Sequence, residues 1–252
     1  MAMTVGQKLS YEANGFLIVR EALDPELLAS VQAASARAED VWRSDETLPG
    51  SRGAALNQVQ AIMEYDDVLL NLLWNPVMLP LVRDALGDDL QMIDHDYFIT
   101  PPHTPHTHAG WHFDVGLTGV YNPRSVMMVK VFYLLTDVNE DSGGTALIPG
   151  SHRFLPDTPL PTGNPREAEG VTQMTGKAGD AYLFNGRCYH AAVNNDSDNA
   201  RRVLIYNYGH RWMKMWPGYE PSEALMAKAV TPMQKQLLGM SPAYGSDVAM
   251  LD

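Results

Sequence analysis

Cysteine, basic residues and long apolar runs are all scarce in this chain of 252 residues. The single cysteine, Cys188, excludes an intrachain disulfide and is typical of a protein from a reducing compartment. With 18 basic and 30 acidic residues the net charge is −12, which repels a phosphate backbone. The most apolar stretch, residues 68–82, is interrupted by prolines and asparagines and is too short to cross a bilayer. We therefore expect a soluble, cytoplasmic protein that binds neither nucleic acid nor a membrane.

Helix signals dominate the first third of the chain. Residues 16–20 predict a short strand, and Asp24, followed by a proline, predicts the start of a helix. The polar stretch 44–57 predicts a loop. A second helical region begins near Asp66 and ends at Gly87.

From residue 90 onwards the pattern changes to short segments rich in β-branched and aromatic residues. These segments predict strands at 90–99, 125–135, 144–149, 180–184 and 201–209. Two long separators, 100–110 and 155–170, are typical of functional lids, and residues 222–238 predict a final helix.

This arrangement predicts a single domain over residues 1–252, mainly β, with a β-sandwich or jelly-roll core and flanking, mostly N-terminal α-helices. Helical support would span about 1–89, the core about 90–210, and a C-terminal helix and tail 211–252.

A candidate metal site begins with His112 and Asp114, which would share one face of a strand. A lone His-x-Asp pair arises often by chance, but His190 lies 76 positions further on, far enough for intervening strands to return it to the same place. Two histidines and one carboxylate form the facial triad that non-haem Fe(II) oxygenases use. Eleven residues after His190 comes Arg201, and an inward-facing arginine needs a carboxylate such as that of 2-oxoglutarate.

Four segments together resemble the phytanoyl-CoA dioxygenase family of Fe(II)- and 2-oxoglutarate-dependent dioxygenases. They are WHFD (111–114), MMVKVFYLLTDV (127–138), NEDSGGTALIPGSHRF (139–154) and HAAVNNDSDNARR (190–202), within a similarity that runs from about Tyr11 to Tyr208. The resemblance implies a double-stranded β-helix fold, with Fe(II), 2-oxoglutarate and O₂ as cofactors.

The same resemblance implies roles for individual residues. It makes His112, Asp114 and His190 iron ligands and Arg201 the 2-oxoglutarate anchor. Thr145 and Phe132 match positions that line the co-substrate pocket. Arg201 and Arg202 must face opposite ways, and although the interval from His190 favours Arg201, the apolar pattern of the following residues does not decide between them.

Other candidate residues carry two or three readings each. Lys130 shares a strand face with Phe132 and could reach co-substrate or substrate, or its ammonium could extend to the strand edge. His103, His106 and His108 could form a second metal site or belong to a solvated lid from which His108 touches substrate. Trp212 and Met215 could be core, substrate wall or the contact of a homodimer.

The function that these features predict is oxidation of a C–H bond in a small organic molecule, with succinate and CO₂ as co-products. Hydroxylation is the default, and the presence of Asp114 argues against halogenation, because halogenating relatives have a small residue there. The lids contain a single basic residue, Arg166, which favours a free natural-product intermediate over an acyl-CoA. Two alternatives are a cupin-type metal enzyme independent of 2-oxoglutarate and a non-catalytic ligand-binding protein of the same fold.

Overall fold

Six α-helices and ten strands lie in the part of the chain that the computed structural model describes, residues 2–104, 110–115, 125–155 and 157–240. The helices are α1 (Val5–Asn14), α2 (Pro25–Ser44), α3 (Asp67–Asn71), α4 (Met78–Leu86), α5 (Glu223–Met226) and α6 (Pro232–Leu237). The strands are β1 (Phe16–Val19), β2 (Gly50–Arg52), β3 (Asn57–Gln60), β4 (Leu90–Thr100), β5 (Met128–Leu134), β6 (Ala146–Leu147), β7 (Thr172–Gln173), β8 (Ala181–Asn185), β9 (His190–Ala191) and β10 (Arg201–His210).

The strands form two antiparallel sheets. The larger has seven strands in the order β1-β8-β5-β10-β4-β3-β2, and the smaller has three in the order β7-β6-β9. Strand β10 therefore lies between β4 and β5, although all of β5 to β9 separates it from β4 along the chain. Both sheets contribute to one apolar cluster that includes Phe132, Leu147 and Val203. This is the jelly-roll arrangement that the sequence predicts.

Both faces of the large sheet are buried, which explains why its strands do not alternate clearly between apolar and polar residues. On the inner face, Val203 and Ile205 of β10 belong to the cluster between the sheets. On the outer face, Leu204, Tyr206 and Tyr208 belong to the core that the helices cover. The apolar pattern alone could therefore not distinguish the two faces.

Three buried tyrosines of this outer face also anchor the helical layer. The hydroxyls of Tyr133, Tyr206 and Tyr208 donate hydrogen bonds to the carbonyls of Leu72, Leu69 and Leu73, at 3.1, 2.6 and 2.8 Å respectively. The three acceptors lie in α3 and in the 3-10 turn that follows it. The Leu69 and Leu72 carbonyls also accept from the backbone amides of Leu72 and Asn75, so the tyrosine hydroxyls add further bonds that join β5 and β10 to the helical layer.

The helix ends follow the predicted capping residues. The Asp24 carboxylate accepts a hydrogen bond from the Leu27 amide at 2.9 Å, and Pro25 is the first residue of α2. The Asn75 side chain accepts from the Val77 and Met78 amides at the start of α4, which ends at Gly87 with φ +95°. The predicted starts and stops are confirmed.

Two local predictions were wrong, and one helix was missed. Residues 50–52 are strand β2 and not loop, because Gly50 pairs with Val59 in a close contact where a Cβ would lie 2.0 Å from the Gln58 carbonyl oxygen. Residues 222–238 form two short helices, because Thr231 caps a new helix with its own capping box. Helix α1, begun by a capping box at Thr4, was not predicted. Among the described helices, none combines the length and apolar character that crossing a bilayer requires.

We expect Tyr206→Phe to lower the free energy of unfolding by about 1 kcal/mol, because it removes a buried hydrogen bond and leaves the Leu69 carbonyl with the Leu72 amide as its donor. Urea denaturation followed by circular dichroism measures this change. Tyr65→Phe is the control, since the described residues offer no hydrogen bond to the hydroxyl of the half-buried Tyr65. Equal losses in the two variants would contradict the anchoring role.

Candidate metal centre

A cavity of about 570 Å³ lies on the inner face of the large sheet. Strands β3, β4, β5 and β10 supply one side of it, and Thr145, His190 and the segment 112–114 supply the other. Inward-facing residues of β10 and its neighbours therefore face His190 of the small sheet across the cavity. Every residue of the predicted metal triad lines this cavity.

His112, Asp114 and His190 come together in the cavity. Their ligand atoms all lie within 4.8 Å of one another, and the Asp114 carboxylate oxygens are 3.7 Å from His112 Nε2 and 3.4 Å from His190 Nε2. The segment 110–115 is not a strand, in contrast to the expectation for the His-x-Asp pair. His112 and His190 instead form a single antiparallel bridge, in which they exchange backbone hydrogen bonds of 2.9 and 3.0 Å. This bridge holds the two imidazole rings next to each other.

Both imidazoles are held so that one ring nitrogen stays available. Nδ1 of His112 lies 2.8 Å from the Gly110 carbonyl oxygen, and Nδ1 of His190 lies 2.9 Å from the Cys188 carbonyl oxygen. A carbonyl only accepts, so each Nδ1 carries the proton and each Nε2 presents a lone pair to the cavity. Burial also lowers the pKa of His190 to about 4, which keeps that ring neutral and able to ligate a metal.

Asp114 is buried and has one free oxygen. Its Oδ1 accepts a hydrogen bond from Lys130 Nζ at 2.8 Å, while Oδ2 has no hydrogen-bond partner among the described residues. Burial alone would raise the pKa of Asp114, but the Lys130 ammonium and the neighbouring histidines hold it well below its usual range. An ionised oxygen without a donor, beside two imidazole lone pairs, fits a divalent cation. The residues present therefore fit Fe(II).

Arg201 lies at the other end of the cavity. Its side chain is buried, its Nε has no hydrogen-bond partner among the described residues, and its Nη2 is 3.5 Å from the Tyr182 hydroxyl. That hydroxyl is also 3.0 Å from Thr145 Oγ1, and the Tyr182 ring stacks on Phe132 with centroids 4.7 Å apart. A buried guanidinium that no described carboxylate neutralises fits the carboxylate of 2-oxoglutarate.

Arg202 faces the opposite side of the sheet. It forms an ion pair with Glu39 of α2 and a hydrogen bond with the Tyr97 hydroxyl. The two adjacent arginines thus serve the two faces of β10, with only Arg201 lining the cavity.

The predicted substrate residues lie elsewhere. Trp212 is 57% exposed and stacks on His210, and Met215 packs against the outer core. Neither lines the cavity, whereas Trp216 and Tyr219 from the same segment do. The turn after β10 carries the chain outward at Trp212 before it returns, and sequence does not show which aromatic residue points in.

The predicted histidine loop contributes no metal ligands within the described residues. His103 forms an exposed pair with Asp198 at 2.8 Å and belongs to no described group of three metal-ligating side chains. His106 and His108 lie outside the described residues, so the substrate contact predicted for His108 stays a prediction.

Sequence reasoning also missed several residues of the cavity wall. They are Asp94, Asp96, Asn207, Gln58, Gln60 and Tyr219. Tyr182, whose hydroxyl contacts the wall residues Thr145 and Arg201, was missed as well. A signal was present in MIDHDYF, where two aspartates two positions apart interrupt an apolar strand and must share a face. Because burying a carboxylate is costly, two aspartates on one face of an apolar strand indicate that this face has a functional role.

Comparison with known proteins decides the family. The model of the phytanoyl-CoA dioxygenase family matches residues 11–203. The chain belongs to this family. Its predicted enzyme class, a non-haem Fe(II)/2-oxoglutarate-dependent dioxygenase, is confirmed, and so are Fe(II), 2-oxoglutarate and O₂ as its cofactors.

Individual relatives are distant. The chain is 25% identical over 182 residues to the dioxygenase af480 of Aspergillus fumigatus, an alignment that covers 71% of this chain and 57% of that protein. It is 26% identical over 236 residues to the ectoine dioxygenase of Bordetella bronchiseptica, covering 82% of this chain and 76% of that protein.

Solved structures show the same fold. HygX from Streptomyces hygroscopicus, with nickel and 2-oxoglutarate bound, superposes with a TM-score of 0.70 at 16% identity, covering 85% of this chain and 90% of that chain. The carbocyclase SnoK from nogalamycin biosynthesis has a TM-score of 0.66 at 18% identity, covering 83% and 85%.

We expect His112→Ala and His190→Ala to abolish turnover without unfolding the protein, because each removes one lone pair from the triad. The visible charge-transfer band of anaerobic protein with Fe(II) and 2-oxoglutarate should also disappear. His210→Ala is the matched control, since His210 bonds the Val126 carbonyl and does not line the cavity. A wild-type band in either triad variant would remove that residue from the site.

We expect Arg201→Ala to raise the KM for 2-oxoglutarate by about 30-fold or more, as loss of one partner of a buried charge pair costs about 2–5 kcal/mol. Arg202→Ala should leave this KM near the wild-type value and lower thermal stability instead, because it breaks the contact with Glu39. Steady-state kinetics and thermal denaturation of both variants measure the contrast. The reverse order of KM effects would exchange the roles of the two arginines.

Proposed function

We propose that this protein hydroxylates a C–H bond of a free small molecule, a natural-product intermediate, and releases succinate and CO₂. One observation carries the proposal: a His-Asp-His cluster with an unpartnered, buried carboxylate oxygen shares a cavity with a buried arginine that no described carboxylate neutralises. The first group suits a divalent metal and the second suits a dicarboxylate co-substrate.

In this proposal His112, Asp114 and His190 would hold Fe(II), which together with 2-oxoglutarate and O₂ would supply the oxidising chemistry. The carbonyls of Gly110 and Cys188 keep the two histidines in the ligating tautomer. Lys130 keeps Asp114 ionised and fixes one of its oxygens.

Arg201 binds the carboxylate of 2-oxoglutarate that is remote from the metal. Thr145 and Tyr182, which bond each other beside the guanidinium, add polar contacts at the same end. Phe132, stacked on Tyr182, forms an apolar wall that excludes water and strengthens the ionic contact. The residues thus orient the co-substrate and leave the oxidation to the metal.

The cavity wall supports a free small molecule over an acyl-CoA. Asp94 and Asp96 line the cavity and would repel the phosphates of CoA. The names of two similar proteins also support a free small molecule as the substrate, since one is an ectoine dioxygenase and the other, SnoK, belongs to nogalamycin biosynthesis.

Location and self-association stay predictions. A cytoplasmic protein without nucleic-acid partners agrees with the charge of −12. The exposed Trp212 is the candidate contact of a homodimer. Light scattering of the wild type and Trp212→Ala tests that contact.

The reaction is tested by substrate-dependent succinate release with matched free acids, their CoA thioesters, and a panel of terpenoid, polyketide and amino-acid-derived compounds. We expect release above the background only with free compounds, and an oxygenated product gaining 16 mass units from ¹⁶O₂. His190→Ala is the negative control. Preference for the thioesters, together with inhibition by free CoA, would overturn the proposed substrate class.

A further inference from the structure

Among the polar side chains of the large sheet that line the cavity, three lie together on β4 and β10: Asp94, Asp96 and Asn207. We call these three residues the acidic wall. Asp94 and Asp96 are two positions apart on β4, so they share the inner face, and Asn207 of β10 is the cross-strand partner of Asp94. Asp94, Asp96 and Asn207 are only 2, 5 and 3% exposed. Two carboxylates and an amide are therefore buried together beside the metal centre.

The acidic wall offers hydrogen-bond acceptors without donors. Asp94 Oδ1 accepts from the Asn207 amide, but Asp94 Oδ2 and Asn207 Oδ1 are buried without a partner among the described residues. Asp96 already accepts from the Tyr219 hydroxyl and from Gln58 Nε2, both at 2.8 Å. A buried acceptor without a donor is costly, so the two free oxygens indicate a missing ligand that donates.

Charge points to the same kind of ligand. Among the described residues, no Lys, Arg or His lies within ion-pair distance of Asp94 or Asp96. The Lys130 ammonium is bonded to Asp114, and Arg201 lines the other end of the cavity. Burial raises the pKa of Asp94 to about 6 and that of Asp96 to about 7, because the Lys130 ammonium offsets the cost of burying these carboxylates only in part.

Aromatic rings complete this part of the cavity. Trp216 and Tyr219 line it next to the acidic wall, and Phe113 lines it beside the metal ligands. Aromatic faces attract cations and exclude water from an ion pair. The surroundings of the acidic wall therefore suit a positively charged group attached to an apolar skeleton.

The acidic wall is also close to the metal centre. Asp94, Asn207 and Lys130 are register partners on three adjacent strands, and the Lys130 ammonium bonds the proposed ligand Asp114. Adjacent strands are about 4.8 Å apart, so this row spans about 10 Å. A small molecule held at Asp94 would therefore reach the metal centre.

We propose that the acidic wall binds a cationic nitrogen, so that the substrate of this enzyme is a small molecule carrying a protonated amine. This inference rests on the proposed function, because it assigns Arg201 to 2-oxoglutarate and leaves the acidic wall for the substrate. Asp94 Oδ2 and Asn207 Oδ1 accept hydrogen bonds from the ammonium group, and Asp96 supplies further negative charge.

Three probes with one skeleton and different charge test the proposal: benzylamine, benzyl alcohol and benzoate. Binding is measured by calorimetry under nitrogen on the full-length protein with Fe(II) and excess 2-oxoglutarate, which occupies Arg201. We expect benzylamine to bind the wild type at least tenfold more tightly than benzyl alcohol, and benzoate not to bind. Equal binding of amine and alcohol, or tighter binding of benzoate, would overturn the proposal without any variant.

Asp94→Asn gives the second measurement. The change keeps an oxygen to accept from Asn207 but removes the charge, so we expect at least a tenfold loss of benzylamine affinity and little change for benzyl alcohol. Glu140→Gln is the matched control, since it makes the same chemical change at an exposed site. Wild-type benzylamine affinity in a folded Asp94→Asn would overturn the proposal.

Failure of this inference can be separated from failure of the proposed function. Succinate formed from 2-oxoglutarate without substrate reports the proposed function alone. Succinate formation combined with no preference for the amine would refute only the acidic wall as an amine site. Amine binding that depends on Asp94, without any succinate, would refute only the proposed dioxygenase reaction.

Discussion

A buried ion pair between Lys130 and Asp114 is the interaction on which the cavity depends. A carboxylate in an apolar interior tends to take up a proton, and a protonated Asp114 would be a poor metal ligand. The Lys130 ammonium, 2.8 Å away, keeps it ionised. Burial alone would lower the pKa of Lys130, but Asp114, with Asp94 and Asp96, more than offsets that effect. Loss of either partner would leave a buried charge unpaired, which is strongly destabilising.

This pair also distributes charge along the cavity. Arg201 lies at the start of β10, whereas Asn207, near the end of that strand, lies in one row with Asp94 and Lys130. An anionic co-substrate and a cationic substrate would each be stable at one place only, because each finds opposite charge at one end and like charge at the other. The electrostatic field would then hold the two molecules at different places in the cavity.

The two-sided burial of the large sheet makes this arrangement rigid. The outer face is fixed to the helical layer by the hydroxyls of Tyr133, Tyr206 and Tyr208 and by the pair of Arg202 with Glu39. The inner face of the same strands carries the cavity residues. The two faces of a strand move together. The contacts of β10 with the helices therefore also fix the positions of Arg201 and Asn207 on its inner face.

The sequence alone determined the family, the jelly-roll fold, the helix caps, and the candidate triad of His112, Asp114 and His190. These features depend on local spacing and on motifs that survive at about 25% identity. Tertiary structure decided what depends on contacts distant in the chain. It put Arg201 and not Arg202 in the cavity, joined Lys130 to Asp114, and brought Tyr182 beside Arg201. In the structure Trp216, and not Trp212, lines the cavity, and the three residues of the acidic wall come together. Each of these outcomes depends on strand register and on which face packs against the helices. Because both faces of β10 contain buried apolar residues, its sequence pattern does not show which face that is.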